Sequence, residues 1–255
     1  GLITARDGIN VSGGQIAVGS NIKLGNAGVV TATSFKGDGS ALTGISAGLS
    51  TDEYENTSGG IRALDSMSAG NATDNTAIGY EALTANTTGD ANTGIGASAL
   101  TANTTGNSNT AIGKDALIAN TTGSRNTAVG IDALTSTTTA SDNTAVGSNA
   151  LNVNTTGAYN TSVGANALDN NTTASNNTAV GYEALGANTT GTYNTAVGAL
   201  ALDAVTTTGS HTAIGYQALS ATTTGQQQTA VGAYALASNT TGTQNIAIGW
   251  GALNA

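Results

Sequence analysis

The sequence predicts an all-β protein, a parallel β-roll or β-solenoid wound from turns of 17 residues. Three observations predict this fold class. The motif Asn-Thr-Ala-(Val/Ile)-Gly returns every 17 residues from Asn75 onward, with few substitutions. Each unit carries a glycine and an Asn-Thr-Thr-Gly segment that would break a helix in every turn. With 36 Gly, no Pro, no Cys and 8% charged residues, the composition is that of a repeat protein.

The complete unit reads Asn-Thr-Ala-(Val/Ile)-Gly-x-x-Ala-Leu-x-x-Asn-Thr-Thr-Gly-x-x, and we number its positions from 1 at Asn75. There are eleven copies, the last cut short at Ala255. Position 4 is always Val or Ile, position 5 is always Gly, and positions 8 and 9 are always Ala and Leu. Positions 6, 7, 10, 11, 16 and 17 change freely and are predicted to face solvent. Thr-Ala-(Val/Ile) suits a short strand, and stacking at ~4.8 Å per turn predicts a shaft of ~50 Å.

Three regions are predicted along the chain. Residues 1–45 form an N-terminal β segment outside the repeat, in which apolar residues alternate between Gly-rich turns. Residues 46–74 are a transition, with a solvated linker at 46–55 and then an imperfect repeat from Asn56 that caps the shaft and carries a two-residue insertion. Residues 75–255 are the eleven solenoid repeats.

Two apolar ladders run along the predicted shaft. Neighbouring residues of a strand point to opposite faces, so Ala82 and Leu83 are not expected to point to the same side. One of the Val/Ile and Leu ladders should therefore line the interior while the other faces partner chains. Two large aliphatic residues per turn make a thin core, which favours a homotrimer that buries a second apolar surface. The predicted ladder residues are Ile78, Leu83, Ile95, Leu100, Ile112, Leu117, Val129, Leu134, Val146 and Leu151.

Charge and hydropathy exclude several classes of partner. The net charge is −9, and six Lys and Arg residues are too few to follow a nucleic-acid backbone. No apolar run approaches the roughly 20 residues of a membrane helix, so no membrane insertion is expected. The chain starts at Gly1 and is expected to be a fragment or a processed product.

No catalytic, cofactor-binding or metal-binding residue is predicted. His211 fills a position held by Asn in nine of eleven copies, so it is interpreted as a substitute in a hydrogen-bonded ladder. Gly94-Ile95-Gly96 lacks a following helix and is interpreted as a turn, not a phosphate loop. Asp residues occur at different repeat positions, which predicts no stacked carboxylate site; they are Asp74, Asp90, Asp115, Asp132 and Asp142.

The Asn-Thr-Thr triplets satisfy the N-glycosylation pattern, but we favour hydrogen-bonded Asn and Thr ladders at a corner. The triplets begin at Asn86, Asn103, Asn120, Asn154, Asn171, Asn188 and Asn239. Aromatic residues are the candidate surface contacts, with a host glycan or protein as partner, although rings packed along the shaft are the more common arrangement. They are Tyr80, Tyr182, Tyr216 and Trp250 at position 6, and Tyr234 at position 7.

The repeat of residues 75–255 resembles repeats in tail fibres and surface proteins of bacteria and their phages, and residues 32–45 resemble a segment that often precedes them. The unit is also similar to the Asn-Ser-Val-Ala-Ile-Gly repeat of trimeric autotransporter heads, whose three chains form left-handed parallel β-rolls. This resemblance implies a structural fibre shaft in a virion tail fibre or on a cell surface, contributing to attachment. It also implies a C-terminal chaperone that trimerises the shaft and cleaves itself off.

Two other functions are considered from the residues. Regular Thr arrays such as Thr137-Thr138-Thr139 and Thr222-Thr223-Thr224 are compatible with ice binding, although adjacent Thr residues on a strand point to opposite faces. A depolymerase would need clustered carboxylates in a groove, whereas acids here are sparse and out of register. The sequence therefore favours a non-enzymatic fibre shaft, with ice binding as the alternative.

Overall fold

The computed structural model describes residues 50–52, 54–66 and 72–254. The chain divides into units Gly1–Gly44 and Ile45–Ala255, and every described residue belongs to the second. The predicted N-terminal β segment at 1–45 lies outside the described residues. Across the described ranges there is no helix, and thirteen short strands form one sheet in chain order. The predicted all-β parallel β-solenoid is therefore confirmed.

The strands recur at the predicted place in each repeat. They are β1 (Ser50–Thr51), β2 (Thr57–Gly59), β3 (Thr76–Ile78), β4 (Thr93–Ile95), β5 (Thr110–Ile112), β6 (Thr127–Val129), β7 (Thr144–Val146), β8 (Thr161–Val163), β9 (Thr178–Val180), β10 (Thr195–Val197), β11 (Thr212–Ile214), β12 (Thr229–Val231) and β13 (Ile246–Ile248).

Parallel pairing joins every strand from β2 to β13 to the next turn. In the middle of the shaft Thr127 pairs with Thr144 and Val129 with Val146, so the register step equals the sequence repeat. Each repeat position is therefore stacked on the same position of the neighbouring turn, as the constant 17-residue spacing predicts.

The first turn is formed by the imperfect repeat. Thr57 in β2 pairs with Thr76 in β3, a step of 19 residues that contains the predicted two-residue insertion. Strand β1 pairs antiparallel with β2. Within the predicted solvated linker at 46–55, backbone pairing to β2 makes Ser50 and Thr51 a short strand, and the Thr51 and Asp52 side chains are exposed. The Asp52 side chain tightens the turn between the two strands by accepting from the Asn56 N–H at 2.9 Å.

The core of the solenoid contains alanine at positions 3 and 8 and leucine at position 9. Ala128, Ala133 and Leu134 show this set in one turn, and all three are fully buried. Strand alternation points Ala128 inward and therefore points Thr127 and Val129 outward. Of the two predicted ladders, the leucine ladder lines the interior and the Val/Ile ladder lies on the outer face.

Glycine at position 5 ends each strand because only glycine fits there. Gly147 has φ of +136°, and a Cβ placed on it would lie 2.5 Å from the carbonyl oxygen of Gly164 in the next turn. Neighbouring turns thus approach backbone to backbone at this corner, which explains why no other residue type occupies the position.

Candidate functional site

One candidate surface is the outer face of the strands, which we call the Thr/Val-Ile face. It consists of the position 2 and position 4 side chains of β3 to β13. Threonine occupies position 2 from β3 to β12, and every position 4 is Val or Ile. These aliphatic side chains are partly exposed, as shown by Ile112 at 39% and Ile214 at 40%. No charged residue occupies either position, so the face is a neutral array of methyl and hydroxyl groups.

The predicted ladder residues fall into two sets. The leucines Leu83, Leu100, Leu117, Leu134 and Leu151 are fully buried. Their partners Ile78, Ile95, Ile112, Val129 and Val146 belong to the Thr/Val-Ile face. The leucines fill the interior of the solenoid, whereas the Val/Ile side chains are partly exposed at its surface, where they can contact another molecule.

The predicted aromatic contacts lie at the surface, and three of them form a cluster. Tyr234 contacts Tyr216 edge to face with ring centroids 5.3 Å apart, and it contacts Trp250 in the same way at 6.4 Å. Tyr80 and Tyr182 are about half exposed and have no ring contact among the described residues. The expected packing of rings along the surface is therefore seen for Tyr216, Tyr234 and Trp250, whereas Tyr80 and Tyr182 do not pack on another ring of the described residues.

Two asparagine ladders run through the interior, at positions 1 and 12. At position 1, the Asn75 Oδ1 accepts from the Asn92 backbone N–H at 2.9 Å, and the Asn92 Nδ2 donates to the Gly106 carbonyl at 2.8 Å. At position 12, the Asn103 Nδ2 donates to the Asn86 Oδ1 and to the same Gly106 carbonyl, both at 3.0 Å. The two ladders therefore converge on the position 15 carbonyl of each turn.

Burial supports the structural interpretation of the Asn-Thr-Thr triplets. Asn86, Asn103 and Asn120 are fully buried, as are Asn154, Asn171 and Asn188; Asn239 is half-buried. A buried amide that donates to a neighbouring carbonyl cannot accept a glycan without opening the turn. The sequence signal for both ladders was the near-invariance of their positions.

A carboxylate groove is present that the sequence did not predict. Asp169, Glu183 and Asp203 line a groove of about 240 Å³ that opens over Gly186, where a side chain is lacking. Burial and the nearby Glu183 charge both raise the pKa of Asp169, and burial is the main cause of the raised pKa of Asp203. The missed signal was the 34-residue spacing of Asp169 and Asp203, which is twice the repeat and places both at position 10.

Three of the five aspartates that the sequence scatters over different repeat positions make separate local contacts. Asp142 forms an ion pair with Arg125 at 2.6 Å, and Asp115 pairs with Lys114. Asp90 accepts from the Thr73 N–H at 2.8 Å. Within the described ranges, no group of three or more His, Cys, Asp or Glu side chains is arranged to hold a metal ion.

Comparison of the chain with protein-family models, with curated proteins and with solved structures finds no match. Over the residues described, the structure contains no helix suited in length and hydropathy to crossing a membrane.

Proposed function

We propose that the chain is the shaft of a homotrimeric fibre, of the kind found in phage tail fibres and bacterial surface adhesins, and contributes to surface attachment. The single observation that carries this proposal is the Thr/Val-Ile face. A partly exposed Val or Ile occurs at the same place in eleven consecutive strands, in a line without charge. A contiguous apolar patch of this kind on a soluble protein marks an interaction surface.

A second and third copy of the same chain are the partners that fit this face best. The face runs along the stacking direction of the turns, so rotation about a parallel axis brings identical faces together and closes the assembly. Burying the Val/Ile side chains in the assembly adds apolar area to a solenoid whose own core is alanine and leucine apart from Val205. Three chains are proposed because the repeat resembles that of the trimeric autotransporter heads.

Sedimentation of a triple variant tests the proposal. The substitutions Val146→Lys, Val163→Lys and Val180→Lys place three charges at mid-shaft on the face. We expect the wild-type chain to sediment with three times its mass of 24.6 kDa and the variant to sediment as a monomer, because unpaired charges are costly to bury. A monomeric wild-type chain contradicts the proposal.

The matched control carries the same three charges on a different ladder. Thr139, Thr156 and Thr173 occupy position 14, are exposed, and lie away from the strands. Lysine at these three positions is expected to leave the trimer intact. Dissociation of this control to the same extent would assign the effect to added charge, not to the face.

Exposed aromatic rings are the proposed contacts for attachment, with a host glycan or protein as partner. Tyr80, Tyr182 and Tyr216 are between 43% and 52% exposed, and Trp250 is 81% exposed. Tyrosine and tryptophan combine an apolar ring with a polar tip and are enriched at binding surfaces for that reason. These rings lie at position 6, outside the Thr/Val-Ile face, so the attachment proposal is separate from the proposal of a trimer.

Ice binding is the second candidate function, and it draws on the same face. Ten consecutive strands, β3 to β12, present an outward threonine in register, which makes an ordered array of hydroxyl and methyl groups. A trimer that buries the face would hide this array. The shaft proposal therefore predicts no thermal hysteresis in an osmometer, whereas hysteresis from a monomeric chain would favour ice binding.

A further inference from the structure

His211 takes an asparagine's place in the position 1 ladder. It is 1% exposed, and its backbone N–H donates to the Asn194 Oδ1 at 3.1 Å, as an asparagine at this position does elsewhere. In the other direction its ring replaces the asparagine oxygen: the Nδ1 accepts from the Gln228 backbone N–H at 3.4 Å. The ring nitrogen is thus the ladder's link between the turn of β11 and the turn of β12.

The hydrogen bonds assign the ring's proton. Because the Nδ1 accepts from Gln228, the neutral ring carries its proton on Nε2, which lies 3.1 Å from the Thr208 Oγ1. Protonating the ring would place an N–H on Nδ1, directed at the N–H of Gln228. An asparagine Oδ1 keeps its role as a hydrogen-bond acceptor at any accessible pH, because the amide does not titrate.

Nothing around the ring compensates a positive charge. Its hydrogen-bonding neighbours Asn194, Thr208, Gly225 and Gln228 are all uncharged. Burial lowers the pKa of His211, and the hydrogen bond to the Gly225 carbonyl opposes this only in part.

The surrounding sequence is equally neutral. From residue 194 to residue 254 the sole charged side chain is Asp203, which lies at position 10 and lines the carboxylate groove. A protonated His211 would therefore be a buried cation without a counter-ion, which is strongly unfavourable.

The second asparagine ladder is interrupted at the same level. Val205 and Thr222 stand at position 12 where asparagine is usual. The Asn188 Oδ1, which would bond the next asparagine, is left without a partner, and so is the buried Gln228 Nε2. Thr222 still donates to the Asn239 carbonyl at 3.0 Å, as Thr137 does to the Asn154 carbonyl, whereas Val205 has no side-chain hydrogen bond to give.

We propose that His211 makes the joint between β11 and β12 acid-sensitive, so that the turns of β12 and β13 loosen when the ring is protonated. This inference is independent of the proposed fibre function. Folding favours the neutral ring. The stabilisation that neutral His211 gives to the folded chain is therefore complete above the ordinary pKa of 6.5, and it is lost as the pH falls toward the lowered pKa of the folded chain.

Hydrogen exchange of the wild-type chain and of His211→Asn tests the proposal. Asparagine already occupies this position in nine of eleven copies, so the variant restores the ordinary ladder. At pH 7.5 we expect equal protection of the amides of residues 228–254 in the two proteins. At pH 4.5 we expect exchange about tenfold faster or more in the wild type, since each pH unit between the ordinary pKa of 6.5 and the lowered folded-state pKa costs a factor of about ten.

Comparison at the same pH cancels the intrinsic pH dependence of exchange and the effects of all carboxylates. The amides of residues 76–180 serve as the internal reference and should exchange alike in both proteins at both pH values. His211→Gln is the second variant, because Gln228 shows that glutamine occupies this ladder. A ratio of wild-type to variant exchange that does not change between pH 7.5 and pH 4.5 overturns the proposal.

Discussion

Gly147→Ala is expected to lower the free energy of unfolding by about 3 kcal/mol or more. The backbone of Gly147 has φ of +136°, which an L-residue adopts only with strain, and the new Cβ would meet the Gly164 carbonyl oxygen at 2.5 Å and its carbon at 2.6 Å. Both contacts are to backbone held by the next turn, so relief requires that two turns separate. Urea unfolding followed by circular dichroism at fixed protein concentration measures the change.

Gly186→Ala is the matched control for this experiment. Gly186 lies in the same shaft at position 10, where Ala237 occurs naturally. The nearest heavy atom to an added Cβ there would be the Glu183 carbonyl oxygen, at 3.3 Å. We expect an effect below about 1 kcal/mol. Equal loss in the two variants would show that any side chain added to this shaft is destabilising, whatever the backbone conformation.

Asn126→Ala is expected to have the next largest effect, a loss of about 3 kcal/mol. The Asn126 Oδ1 accepts from the Asn143 N–H at 3.0 Å, and the Asn126 Nδ2 donates to the Ala140 carbonyl at 2.8 Å. Alanine removes both partners in a fully buried place, and each buried polar group left unpaired costs about 1–3 kcal/mol. The same urea titration measures this loss.

Asn107→Ala provides the comparison for the asparagine substitution. Asn107 is exposed at position 16, and its Oδ1 accepts one hydrogen bond, from the Asp90 N–H at 2.7 Å. Water can replace that bond, so the expected change is below about 1 kcal/mol. If both alanine variants unfold at the same urea concentration, the interior ladder contributes no more than a surface bond does.

The repeat in the sequence was sufficient to predict most of the fold. Constant spacing located every strand from β3 to β12, and the extra residues after the imperfect copy located the longer first turn. It did not decide which aliphatic ladder faces inward. Leu83 lies beyond its strand at a corner with φ of +51°, a conformation that leucine rarely adopts. Ala82 and Leu83 are both fully buried, so the expectation from strand alternation that they point to opposite sides is wrong.

The candidate sites were predicted less completely, for a physical reason. Single positions such as His211 and the triplet asparagines could be compared with the same position in the other copies, and their structural interpretation agrees with their burial. The carboxylate groove needs three side chains from successive turns, and Asp169 and Asp203 are separated by the turn that supplies Glu183. The three carboxylates come together only when the turns stack, and Gly186 between Asp169 and Asp203 has no side chain to fill the groove.

The in-register pairing of the strands has a consequence for the length of the molecule. Each strand in the sheet pairs only with the strands just before and just after it in the chain. The energy of the stack is then a sum of turn and nearest-neighbour contributions, and removing or inserting one whole unit rejoins equivalent surfaces. Gain or loss of one 17-residue unit therefore changes the length of the solenoid by ~4.8 Å and leaves the sequence and packing of the other turns unchanged.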